Sequence, residues 1–138
     1  MSEFYFKLSC RELGIDYQIF RIFNVYGKGE NKRKLLSSLN KAIKLKKSFT
    51  INSSNQKKDF IEVGKVTDIL IDSLNFKKNS DYFPQIWHVA SGRPVTVKDF
   101  VTSKIEKKFL KRVKFKNINK VKRNFISSKN SLWKIKND

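Results

Sequence analysis

The apolar positions of this 138-residue chain change period several times, and each change marks an element. Phe4, Leu8 and the pair Cys10/Leu13 recur at roughly helical spacing, which predicts a helix over 3–13 with Gly14 as a left-handed cap. Residues 15–23 read as a strand with an apolar end, the pattern of a sheet covered on both faces. Gly27 and Gly29 mark a loop over 26–31. Residues 32–46 then place Leu35, Leu36, Leu39 and Ile43 on one side and Lys on the other, an amphipathic helix. A short strand is expected at 49–51, a polar loop at 52–58 and an extended piece at 60–63.

Val66, Ile69, Leu70 and Leu74 restore the helical period, residues 75–84 read as a connection, and 86–90 as a second buried strand. Ser91-Gly92-Arg93-Pro94 is a turn. Thr96 with Asp99 resembles a capping box that opens a helix running to about Phe109. The tail is basic, with a strand expected at 113–115 and a short helix near 128–133. Alternating strands and helices indicate an α/β class. Only two runs read as central strands, so the helices carry apolar faces that need more sheet than this chain supplies.

Composition fits a folded domain: 39% of residues are hydrophobic, and 2 Trp, 4 Tyr and 12 Phe are available for packing. No apolar run approaches a membrane span, and the first residues lack the basic and apolar regions of a signal peptide. The single Cys10 excludes an internal disulfide and fits a reducing cytosol, so a cytoplasmic location is expected. No Cys/His/Asp/Glu grouping has metal-ligand spacing. The net charge of +19 changes the picture more, because residues 104–138 hold 13 Lys/Arg against Glu106 and Asp138. A Lys-rich solvated surface accounts for this charge. A polyanion such as nucleic acid is the alternative partner, although the tail's few aromatics form no stacking platform.

Four blocks carry candidate chemistry. They are Glu3 to Asp16, Arg21-Ile22-Phe23-Asn24-Val25-Tyr26-Gly27 continuing to Gly29, Gln56-Lys57-Lys58-Asp59-Phe60-Ile61, and Trp87 to Thr96 with its Ser91-Gly92-Arg93-Pro94 centre. In this order and spacing the chain resembles the NAD-dependent epimerases and dehydratases, the extended short-chain dehydrogenases acting on nucleotide sugars. The first block looks like the helix that follows the family's Tyr-x-x-x-Lys pair, and the second like its R-x-F-N-V-Y-G signature. That signature lies past the middle of family chains and begins here at residue 21. The expected reading is the C-terminal part of such an enzyme, a remnant of a doubly wound Rossmann-like sheet plus the small α+β substrate-binding cap. Residues 1–26 and 58–91 would belong to the former and 27–57 and 92–138 to the latter.

The resemblance implies roles at matching positions. Asn24 would contact the sugar or phosphate of a nucleotide sugar, and the backbone at Phe23 and Val25 would lie near the nicotinamide of NAD or NADP. Lys34 and Leu35 would line the base pocket. Lys58 stands where an Arg usually holds the diphosphate, and Lys keeps the charge without the bidentate fork. Arg123 would be a second basic residue near the substrate. Lys65 replaces an acidic residue. The sequence holds no Gly-x-Gly-x-x-Gly loop, only Gly27-Lys28-Gly29, and Tyr5 is followed four residues on by Ser9 and not by Lys. No catalytic residue is therefore assigned, and alone the chain is expected to hold NAD poorly and to be inactive. A separately encoded N-terminal half could complete it. A basic nucleic-acid-binding protein and a non-functional remnant stand as alternatives. His88, in a strand between Trp87 and Val89, and Cys10, on an apolar helix face, read as packing residues, and Tyr26 as a wall residue.

Overall fold

Helix α1 (Ser2–Glu12) ends in a Schellman closure: Gly14 N–H donates to the Arg11 carbonyl at 3.3 Å and Ile15 N–H to the Cys10 carbonyl at 2.8 Å, with Gly14 at φ +64°. A computed structural model provides this geometry and describes residues 2–74 and 85–117. The expected connection at 75–84, the short helix near 128–133 and Arg123 lie outside the described residues.

The chain continues through β1 (Gln18–Ile22), β2 (Asn24–Tyr26), α2 (Leu35–Lys44), β3 (Phe49–Ile51), β4 (Lys57–Lys58), β5 (Phe60–Glu62), α3 (Val63–Ser73), β6 (Gln85–Val89), β7 (Val95–Thr96), α4 (Val97–Lys104), α5 (Lys107–Leu110) and β8 (Val113–Phe115). The strands pair two by two. β1 runs parallel to β6, β2 to β5 and β3 to β8, while β4 is antiparallel to β7. The class is α/β as expected, with the parallel pairs of a doubly wound architecture.

Side-chain alternation explains how helices cover β1 and β6. Arg21 faces α1, where its guanidinium meets the Glu3 carboxylate at 2.9 Å. Phe20 points to the opposite face and packs with Val66, Ile69 and Leu70 of α3. The β2–β5 register sets Val25 opposite Ile61, and both belong to the cluster of Ile61, Val66, Trp87 and Val89. Tyr26 and Phe60, one residue away, pack instead on a second cluster of Leu39, Ile51, Val97, Phe100, Val101 and Val113. One strand pair is thus a wall shared by two cores.

Several expectations change. The strand expected over 15–23 is present but shorter, Gln18–Ile22, and Asn24–Tyr26 adds a separate strand that was not expected, on a different partner. Part of the polar loop at 52–58 is strand, because Lys57 and Lys58 pair with Thr96 and Val95. The helix expected to reach Phe109 is broken at Ile105, which adopts φ −126° and ψ 150°, and its continuation is the separate α5. Its start is as expected: Thr96 is the N-cap, and its hydroxyl accepts the Asp99 N–H at 3.0 Å.

Two tests follow from these contacts. Thr96→Ala removes the cap and is expected to cost about 1 kcal/mol in a denaturant titration; an unchanged midpoint would show that the cap contributes nothing. Hydrogen bonds from Arg21 first, then Lys7, lower the Glu3 pKa from 4.5 to about 2. A carboxylate depressed by folding contributes stability above its unfolded pKa and loses it as protons bind. Thermal midpoints are therefore expected to fall as pH drops from about 4.5 toward 2, and Glu3→Gln should flatten that part of the profile.

Candidate functional site

The polar end of the β2–β5 wall opens into a cavity of about 350 Å³, a volume in the range of small-ligand sites. Asn24 sits at its edge, held by two bonds to the Asp59 carbonyl, from its backbone N–H at 3.3 Å and from Nδ2 at 2.9 Å. Lys34, Leu35, Lys58 and Val25 line the same cavity. The structure therefore brings together Asn24, Val25, Lys34, Leu35 and Lys58 from segments far apart in the chain. Phe23 does not join them: its ring lies against His88 with centroids 6.0 Å apart, and its N–H is donated to the Val89 carbonyl at 3.1 Å.

Each group is placed by a local device. Gly27 permits the turn after β2: at φ +146° a Cβ there would stand 2.5 Å from Val63 Cγ1. The chain then reverses, with Glu30 N–H donating to the Gly27 carbonyl at 3.3 Å. Glu30 Oε1 accepts the Ser37 N–H at 2.8 Å, supplying a carboxylate to the first turn of α2 where the N-cap Lys34 makes no side-chain bond. Lys34 Nζ approaches the Val25 carbonyl at 3.5 Å, which leaves its ammonium beside β2. Lys58 reaches the cavity because β4 is fastened to β7.

Aromatic rings close the floor. Phe60 and Phe100 stack at 3.7 Å with a 4° tilt, and Tyr26 meets Phe100 edge-on at 5.0 Å. Lys104 Nζ donates to the Tyr26 hydroxyl at 3.0 Å, joining α4 to β2. Glu30, Thr50 and Asn52, none of them in the four blocks, complete the polar rim with Gln56, which opens the third block but carried no expected role. Thr50 was read as a strand residue and Asn52 and Gln56 as loop, and no local pattern marks a loop that folds back over a helix start. Taken together, the cavity offers two ammonium groups, a fixed amide and an apolar floor, a set suited to an elongated ligand with an anionic portion.

Residues 1–89 match the model of the NAD dependent epimerase/dehydratase family. The chain belongs to that family. A protein of Methanocaldococcus jannaschii assigned as a UDP-glucose 4-epimerase is 28% identical over 103 residues, covering 72% of this chain and 32% of that protein. Among solved structures, UDP-glucose 4-epimerase of Thermotoga maritima with UDP-glucose superposes with a TM-score of 0.74 at 17% identity, covering 96% of this chain and 43% of that one. UDP-N-acetylglucosamine 4-epimerase of Methanobrevibacter ruminantium in complex with UDP-N-acetylmuramic acid gives 0.68 at 23% identity, covering 94% and 41%. The dTDP-glucose 4,6-dehydratase of Streptomyces venezuelae with NAD bound gives 0.70 at 14%, covering 95% and 40%. The fold is that of the nucleotide-sugar epimerases and dehydratases, and the chain spans about a third of the relative's length and about two fifths of these structures.

Gly27→Ala tests the turn that shapes the cavity. The added methyl meets Val63 and the backbone is strained, so a loss of about 1–3 kcal/mol is expected by thermal unfolding; wild-type stability would mean that the turn relaxes without cost.

Proposed function

We propose that this chain supplies the sugar-nucleotide-binding, C-terminal portion of an NAD(P)-dependent nucleotide-sugar epimerase, dehydratase or reductase, of the kind that serves polysaccharide synthesis in the cytoplasm. The observation that carries the proposal is the convergence of Asn24, Lys34, Leu35 and Lys58 on one cavity in a chain of this family. Lys58 faces the diphosphate, Lys34 and Leu35 the base, and Asn24 the sugar. Arg123 is proposed as a further basic residue near the substrate. The two apolar clusters support assigning 1–26 and 58–91 to the Rossmann-like part and 27–57 and 92–138 to the cap.

The described residues do not fit a dinucleotide by themselves. A pyrophosphate needs free N–H groups at a helix start. The Gly27-Lys28-Gly29 loop leads instead to a helix whose Ser37 N–H is taken by Glu30. The N–H groups of Phe23 and Val25, next to which the nicotinamide would lie, are donated to Val89 and Phe23 carbonyls. The 138 residues contain no Gly-x-Gly-x-x-Gly sequence, and Tyr5 lacks its Lys. The glycine loop and the acid–base pair for hydride chemistry come from a further N-terminal half, whether joined to these residues or separate. These 138 residues alone hold NAD poorly and are inactive.

Calorimetry of the chain with UDP-glucose tests this reading. Binding is expected, with Lys58→Ala and Asn24→Ala each weakening it about tenfold, and NAD giving no heat under the same conditions. Absence of UDP-glucose binding, or binding indifferent to both substitutions, sinks the proposal. A second reading, polyanion binding, is favoured by the +19 charge. It predicts nucleic-acid affinity that falls steeply with salt, and salt-insensitive indifference to DNA and RNA would remove it.

A further inference from the structure

Asp59 is the carboxylate that the fold buries completely among the described residues, at 0% exposure. It does not line the cavity. It occupies the junction between β4, which carries Lys58, and β5, which pairs with Asn24. Its Oδ1 accepts the Ser91 N–H at 2.7 Å, while Oδ2 is buried with no hydrogen-bond partner among the described residues. A carboxylate buried on so few bonds is costly. The same Ser91 N–H could be satisfied by a neutral acceptor. Departures of this kind from the best choice for stability gather at functional sites.

The backbone of the same residue makes the decisive contact. The Asp59 carbonyl receives both the N–H and the Nδ2 of Asn24. A carbonyl only accepts, so the Asn24 amide must turn its nitrogen inward, and the orientation of the amide is fixed by chemistry. Its oxygen is then the end left toward the cavity that Asn24 lines.

We propose that Asp59 is a positioning residue: its carboxylate, clamped to Ser91, holds the carbonyl that turns Asn24 to present an acceptor to the ligand. The group read by Asn24 is accordingly a donor, a sugar hydroxyl, and Lys58 is set by the same clamp to meet the anionic part. The identity of the ligand rests on the function proposed above; the clamp does not.

The test uses the full isotopically labelled chain, with the Asn24 side-chain amide and the Ser91 backbone amide followed by NMR and UDP-glucose affinity by calorimetry. Asp59→Ala is expected to speed hydrogen exchange at both amides and to weaken UDP-glucose about tenfold. Adding Asn24→Ala to it should weaken binding no further than Asn24→Ala alone. Asp59→Asn keeps an acceptor for Ser91 and is expected to retain both amide signatures and affinity within about twofold. An Asn24 amide still protected in Asp59→Ala overturns the proposal, as does an Asp59→Asn protein as impaired as Asp59→Ala. Should Asp59→Ala not fold, Asp59→Asn decides: retained amide signatures support the clamp, and their loss in a folded protein overturns it. A wild-type chain that ignores UDP-glucose removes the proposed function, while the two amides still decide the clamp.

Discussion

The parallel pairing of Asn24–Tyr26 with Phe60–Glu62 is the constraint on which the rest of the described structure depends. Three residues on each strand separate two apolar cores, because strand side chains alternate. Val25 and Ile61 enter the core beneath α3, whereas Tyr26 and Phe60 enter the core built by α2, α4 and β3. Removing the pairing would detach the cores from each other and leave the cavity without a wall. The register also sets Asn24 level with Phe60, which puts the amide next to the carbonyl that orients it.

A backbone group takes part in each of the contacts that hold the site. Asn24 is fixed by a carbonyl, the start of α2 by the Glu30 carboxylate, and the turn at Gly27 by close approach to Val63. Backbone partners keep their place when neighbouring side chains vary, so this kind of support suits a family whose members share a fold at 14–23% identity among the structures compared. The cationic side chains are less constrained. Lys34 is exposed and makes one long contact, leaving its ammonium free to follow an anionic ligand.

Much of the architecture was legible in local pattern. The Schellman end at Gly14, the amphipathic α2, the strand Phe49–Ile51, the Thr96 cap and the strand Val113–Phe115 each rest on interactions within a few residues. What failed was non-local. Asn24–Tyr26 and Lys57–Lys58 are strands only because distant partners present backbone groups to them, 36 residues away where Asn24 pairs with Phe60, and 39 and 37 residues away where Lys57 pairs with Thr96 and Lys58 with Val95. Neither segment carries a β pattern of its own. The break at Ile105 is similar: the helical period continues in the sequence, but Ile105 leaves helical geometry to pack on the core beneath α4.

The sequence by itself determined the α/β class, most helix positions and, through its blocks around Asn24, Asp59 and Ser91, the family. It determined these because periodicity, capping and turn chemistry are short-range and act wherever the residues occur. Only the tertiary structure decided which residues share a cavity and which way they face. Asn24, Lys34 and Lys58 meet because three strand pairings bring their segments together. The buried role of Asp59 was invisible from its neighbours, since an acidic residue between two lysines and a phenylalanine reads as surface. Its burial comes from long-range contacts across 32 and 35 residues, and such contacts exist only once the chain has folded.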